Sequence, residues 1–212
     1  MARVDASIVG FSRGDEKQAR HHLILGTHLA GLFDRWFGDK KPEDLTDPLH
    51  DLTLSNLKVG YLVDFDLKTW EVKSYGTYDF EGDRAEEWEL DCGDDRCFLE
   101  RAEDDDVEWT ITRKITLSDV TEGVRAHIRS HDDPPQELTL DGQRFSAEGS
   151  GAGYYRKDGK GSGDQMIFWD YTDSSGEKIL SIEQWGEDQF EASVGKYVEE
   201  YEFTNILPRL MH

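Results

Sequence analysis

Hydrophobic and polar positions alternate along most of this chain with the two-residue period of a half-buried strand. From residue 84 onward the pattern is clear. Trp88 and Leu90 fall on one side of an extended backbone, with Glu87 and Glu89 on the other. Leu99 opposes Phe98 and Glu100, and Val107, Trp109 and Ile111 alternate with Glu108, Thr110 and Thr112. Acidic turns at 91–96 and 104–106 separate these runs, so three strands form a meander. Upstream, residues 59–63 read as a first strand, and 67–80 carry Trp70, Val72, Tyr75 and Tyr78 in partial alternation. Residues 14–37 have a different period: Leu25, Leu29, Leu32, Phe33 and Trp36 make the stripe of an amphipathic helix, ended by Gly38 and Pro42.

The hairpin around Trp88-Glu89-Leu90 and Cys97-Phe98-Leu99-Glu100 returns later in the chain. Its second form is Trp169-Asp170-Tyr171, a turn at 172–178, and Ile179-Leu180-Ser181-Ile182-Glu183. Laid over each other, Phe80 matches Tyr155, Trp88 matches Trp169, Glu100 matches Glu183, Val107 matches Phe190 and Val120 matches Ile206. That predicts an internal repeat. The expected fold is mainly β and antiparallel: two related β-meander units packed as a barrel-like or sandwich domain, with an N-terminal helix. Residues 1–50 are expected to be the helical segment and linker, 51–122 the first β unit and 136–208 the second, the two units sharing one compact domain. The glycines at 149–153 and 159–163 lack the Gly-Lys-Ser/Thr ending of a phosphate loop and read as flexible hairpin tips or bulges. His127 and His131 would share a strand face beside Asp132 and Asp133, where turn chemistry accounts for them.

Composition narrows the function classes. Asp plus Glu number 46 against 24 Lys plus Arg, a net charge of −22, which repels nucleic-acid phosphates and anionic membrane surfaces. Cationic partners, metals or polyamines are the ligands such a field favours. Aromatic residues at 11% argue for a folded chain rather than an acidic disordered one. No apolar run approaches a membrane span and the first residues lack a signal-peptide core, so a cytoplasmic location is expected. Cys92 and Cys97 flank a turn and read as free thiols; alone they are too few ligands for a structural zinc site. No nucleophile elbow, calcium loop or cofactor motif is present, so neither catalytic nor metal residues are assigned.

The segments Val59-Gly60, Trp88-Glu89-Leu90, Leu99-Glu100, Trp169-Asp170-Tyr171 and Ser181-Ile182-Glu183-Gln184-Trp185-Gly186, with Tyr201-Glu202 and Ile206, resemble a bacterial domain-of-unknown-function family over about residues 52–208. The resemblance carries over no catalytic residues. It implies a setting, because genes of that family often stand near those for polyamine aminopropyltransferase-like and phage-shock-protein-A-like proteins. From the residues themselves, Glu100 and Glu183 with Trp88, Trp169, Trp185, Tyr154 and Tyr155 are the candidate ligand site, carboxylates beside aromatic faces suiting an ammonium. The leading expectation is a non-enzymatic binding or adaptor module for a protein partner or a cationic small molecule, a polyamine among them. The alternative is a hydrolase or lyase using the paired carboxylates Glu100 and Glu183. Homo-oligomerisation through Leu25, Leu29, Leu32 and Trp36 of the N-terminal helix is a third expectation.

Overall fold

The computed structural model describes residues 52–80, 83–103 and 106–209. The N-terminal helix, with the oligomer contacts assigned to it, lies outside these residues. The first half of the described chain contains β1 (Leu62–Phe65), β2 (Lys68–Phe80), β3 (Asp83–Asp91), β4 (Arg96–Glu103) and β5 (Val107–Ile115). A 3-10 turn (Leu117–Asp119) and helix α1 (Val124–His131) follow. The second half contains β6 (Glu137–Leu140), β7 (Gln143–Lys157), β8 (Asp164–Asp173), β9 (Lys178–Gly186) and β10 (Gln189–Val198), then a 3-10 turn (Glu200–Glu202) and β11 (Thr204–Leu207). Among the described residues α1 is the one α-helix. The stretch around His127 and His131 is therefore helical rather than extended, because Val124 and Ile128, four apart, are the buried face of α1. His127 and His131 share that helix, with their rings stacked 4.2 Å apart, rather than a strand face.

All pairings are antiparallel and join the strands into one sheet, β11-β1-β2-β3-β4-β5-β10-β9-β8-β7-β6. Strand β2 also pairs with β7, from Gly76 opposite Lys157 to Asp79 opposite Tyr154. The hydrogen bonds thus run in a ring through β2, β3, β4, β5, β10, β9, β8 and β7, and the arrangement is barrel-like. It is one large sheet rather than two stacked ones.

A bulge in each long strand makes the ring possible. On β2 the register shifts between Val72, opposite Leu90, and Ser74, opposite Glu89. An extra residue reverses which side chains face which way. Trp70 and Val72 consequently point outward with Trp88 and Leu90, whereas Gly76, Tyr78 and Phe80 point into the ring. On β7 the same shift falls between Ala147, opposite Tyr171, and Gly149, opposite Asp170. Beyond it Gly149, Gly151 and Gly153 occupy successive inward positions. They are therefore strand residues and not a hairpin tip. A Cβ on Gly151 would lie 2.8 Å from the Phe168 ring, so the bare backbone makes room for aromatics. The 159–163 glycines do form a turn, with Gly159, Gly161 and Gly163 at positive φ.

Outside the ring sit two separate cores, one per half. Trp70, Trp88, Leu90, Leu99, Trp109 and Ile111 pack with Val63, Phe65, Leu54 and Leu57 in the first. Phe145, Trp169, Tyr171, Leu180, Ile182 and Ala192 pack with Leu138, Val124 and Ile128 in the second. Each fully buried aromatic or leucine contributes about 1.5–3 kcal/mol, so these clusters supply the main apolar driving force. Their polar atoms are met locally: Trp88 Nε1 donates to the Leu57 carbonyl at 3.0 Å, Trp169 Nε1 to Asp133 Oδ1 at 3.0 Å and the Tyr171 hydroxyl to the Pro135 carbonyl at 3.0 Å.

The ladders of the two halves can be laid over each other. The Phe65–Lys68 and Leu140–Gln143 hairpins are equivalent, as are the two bulges. Trp88 opposite Leu99 corresponds to Trp169 opposite Ile182, and Glu100 opposite Thr110 to Glu183 opposite Glu191. In this overlay Phe190 falls on Trp109 and Val120 on Phe203: Thr121 N–H bonds the Thr139 carbonyl beside β6, and Thr204 pairs with Asp64 of β1. The last strand of the second half thus pairs with the first strand of the first half.

Between the halves, β5 meets β10 with Thr112 opposite Gly195. A Cβ on Gly195 would collide with the Ile111 carbonyl oxygen, a backbone atom that cannot swing aside. Gly195→Ala should cost about 1–3 kcal/mol through overpacking, read as a lower urea midpoint at unchanged slope. A midpoint equal to that of the unsubstituted protein would contradict this close approach.

Candidate functional site

The inner face of the ring is where the chain departs from an ordinary core. At the β2–β7 seam it is apolar: Tyr78, Ala85 and Met166 are buried there with Phe80, Tyr155, Phe168 and Trp185 packed around them. These rings come from both halves, the Tyr78 and Tyr155 centroids lying 5.0 Å apart and those of Phe80 and Phe168 4.9 Å. Beyond this plug the inward positions carry charge. The register puts Glu87 on β3, Glu100 on β4, Lys114 on β5, Asp170 on β8 and Glu183 on β9 facing inward.

These groups feel each other across the ring. Glu100 is coupled to Asp170, and Glu87 to Glu183. Strands β4 and β8 stand opposite each other in the ring order, as do β3 and β9, so these interactions cross the interior. Enclosure, and then the neighbouring carboxylates Glu87, Asp170 and Glu183, push the Glu100 carboxyl up to about 8. Glu87 rises to about 7, mainly through loss of hydration, even though Lys114 and the Tyr78 hydroxyl favour its charged form. Asp170 rises to about 6 for the same reason, against a hydrogen bond from Ser181.

One cation faces this set. Lys114 Nζ lies 3.2 Å from Glu183 Oε2 and 2.8 Å from Glu191 Oε2, and 5.3 Å from the centre of the Phe98 ring. Trp185 Nε1 donates to the same Glu183 oxygen at 3.2 Å. Burial works against the lysine charge, but Glu183 and Glu191 outweigh it and hold the ammonium more firmly protonated than usual. Glu100 has no such partner: no described residue donates to its carboxyl. No side-chain oxygen that is wholly shut off from solvent lacks a hydrogen bond among the described residues, so the Glu100 oxygens face interior space that water enters.

Of the residues the alternation singled out, Glu100, Glu183, Trp185 and Tyr155 are brought together inside the ring, with Tyr155 set edge-on to Trp185 at 5.8 Å. Trp88 and Trp169 are not; they fill the outer cores of their own halves. Tyr154 is on the outer face and 45% exposed. Glu87, Asp170, Lys114 and Tyr78 were missed. Glu87 had been set on the face away from Trp88, correctly, but that face turns out to be the enclosed one.

Other features are weaker. No described cluster of three or more His, Cys, Asp or Glu side chains is arranged to hold a metal ion. A depression of about 920 Å³ lies over Tyr75, Glu86, Arg101 and Arg156. Two of its three guanidiniums are already committed, Arg101 to Glu86 and Glu103 and Arg156 to Asp79. Cys92 and Cys97 are free thiols. No described helix is long and apolar enough to cross a membrane.

Fold and interior together define a barrel-like antiparallel β protein with a carboxylate-lined chamber. The chain belongs to the family described as a domain of unknown function, DUF4178, which matches residues 58–200. It is similar to a protein of Aquifex aeolicus (strain VF5) called "Uncharacterized protein", 28% identical over 170 residues that cover 80% of this chain and 93% of that one. No solved structure matches.

The raised Glu100 carboxyl has a consequence for stability. Between its ordinary 4.5 and about 8 the folded chain holds a proton that the unfolded chain has released, so this group makes stability fall as pH rises through that window. Glu100→Gln should match the wild type near pH 4.5 and exceed it by about 4 kcal/mol at pH 8.5, measured by urea unfolding at both. Equal stability at pH 8.5 would contradict an enclosed carboxyl.

Proposed function

We propose that this domain is a non-enzymatic binding module whose ring interior takes a small organic cation. The observation that carries this reading is the Glu100 carboxyl, enclosed in the ring without a donor among the described residues, in a chamber where Glu87, Asp170 and Glu183 also converge with Lys114. Isolated charges are costly to enclose, and an unpartnered carboxyl responds by keeping a proton. A cation entering the chamber offers a better exchange: it displaces the proton and meets carboxylates that have already lost part of their hydration. Tyr78, Phe168 and Trp185 at the seam supply apolar and π surface for the rest of such a ligand.

The paired-carboxylate hydrolase reading is less well supported. Glu183 is held by Lys114 and Trp185, which leaves it a fixed counter-ion rather than a free base or nucleophile. We infer further that the two halves are repeats of one unit, supported by their equivalent hairpins and bulges.

A thermal-shift series with spermidine, putrescine and magnesium tests the module, run at low salt and at about 0.3 M, where the Debye length of several ångströms suppresses diffuse surface attraction. Spermidine or putrescine should raise the melting temperature at both salt levels, more at pH 8.5 than at pH 6. The rise should be lost in the Glu87→Gln/Glu100→Gln double variant. An amine shift that salt erases, or none, would remove this reading.

A further inference from the structure

We propose that the chamber seats a primary alkylammonium against Glu100, in the place that Lys114 takes against Glu183 in the other half. This rests on the cation-binding reading above and narrows it to one subsite and one ligand class.

The correspondence between the halves locates the subsite. Glu183 of β9 corresponds to Glu100 of β4, and Glu191 of β10 to Thr110 of β5. Continuing along the same ladders, Ser193 opposite Lys114 corresponds to Thr112 opposite Gly195. Lys114 and Gly195 are therefore equivalent positions: one reaches a glutamate with an ammonium, and the other has no side chain at all. The second half cannot supply the missing lysine, because any Cβ at Gly195 collides with the Ile111 carbonyl oxygen. Glu100 is the glutamate left over.

Lys114 also shows what fits. Its Nζ is a primary ammonium, 3.2 Å from Glu183 and 2.8 Å from Glu191, lying over the Phe98 ring. At Glu100 the surroundings are related but more acidic. Glu87 stands directly opposite Glu100 across the β3–β4 ladder, Asp170 faces it across the ring, and Thr110 offers a hydroxyl where Glu191 stands in the other half. Three N–H donors on one nitrogen can be shared among Glu100, Glu87 and Thr110. A bare metal ion would need a tighter cluster of donors than the described residues form. The apolar plug, whose Tyr78 hydroxyl reaches Glu87 at 3.3 Å, adjoins this spot and suits an alkyl chain.

The test uses n-butylammonium, in effect a severed lysine side chain, titrated into the full chain at pH 8.5. Binding is followed by the ¹³C shifts of the side-chain carboxyls. The wild type should bind one equivalent, with Glu100 responding most and its titration midpoint falling by at least about one unit at saturation. Glu100→Gln should bind none. Lys114→Met should bind two, the second perturbing Glu183. Lys114→Gln, which keeps a polar side chain, serves the same purpose should the Met variant fail to fold. Equal binding by wild type and Glu100→Gln would overturn the subsite while leaving a cation chamber in place. An unchanged stoichiometry in both folded Lys114 variants would overturn the equivalence with Lys114. Failure of every amine, spermidine included, to bind the wild type would sink the broader reading as well.

Discussion

Closure of the ring at β2–β7 is the constraint on which the other features depend. Only four residue pairs make this seam, yet they leave no strand of the ring with an unpaired edge. Once that has happened, the face of each strand turned away from its outer core looks into the ring. A chain that is 36% hydrophobic cannot fill two outer cores and a ring interior with apolar side chains alone. It spends its large aromatics on the outer cores and on the plug at the seam. Much of the remaining interior, among the described residues, is left to carboxylates and hydroxyls, with Lys114 paired to Glu183.

The bulges are what let the strands serve both surfaces. Without the shift at Val72–Ser74, Tyr78 and Phe80 would continue the outward series of Trp70 and Val72, and the seam would have no inner plug. The shift at Ala147–Gly149 does the same for β7, where three successive inward positions are then glycine. Large rings from β2 and β8 lie over those bare positions, so the two long strands approach closely. A single strand thus contributes to an outer core at one end and to the inner surface at the other.

Alternation made the strands, the meander and the likeness of the two halves legible before any coordinates. It could not say which face of a strand meets solvent. Period two separates Glu87 from Trp88 but is silent on whether a second layer, or the far wall of a ring, covers the glutamate side. Hence Trp88 and Trp169 were grouped with Glu100 on residue type, although the ladders put them on opposite faces. Glu100 and Glu183 were legible because each follows a large apolar residue in an alternating strand. Asp170 lay hidden between two aromatics that belong to another surface. The glycines at 149–153 looked like a turn because their inward neighbours, Phe80 and Phe168, are remote in sequence. Helix α1 escaped notice because two apolar residues in eight are its entire buried face.

In a structure whose halves agree at hairpins, bulges and ladders, a difference at one equivalent pair carries information. Lys114 and Gly195 are such a pair, and each is demanded by something local. The lysine compensates Glu183 and Glu191; the glycine permits β5 and β10 to touch. A ring built only for stability would relieve the resulting imbalance by losing the charge at Glu100, since an amide or apolar side chain there removes the cost of enclosing an unpaired carboxyl. Glu100 retains that cost, and retains it beside Glu87 and Asp170, which raise it further. The carboxyl is least expensive when a cation is present, so its energetic cost in the empty ring is also the source of affinity for whatever ammonium enters.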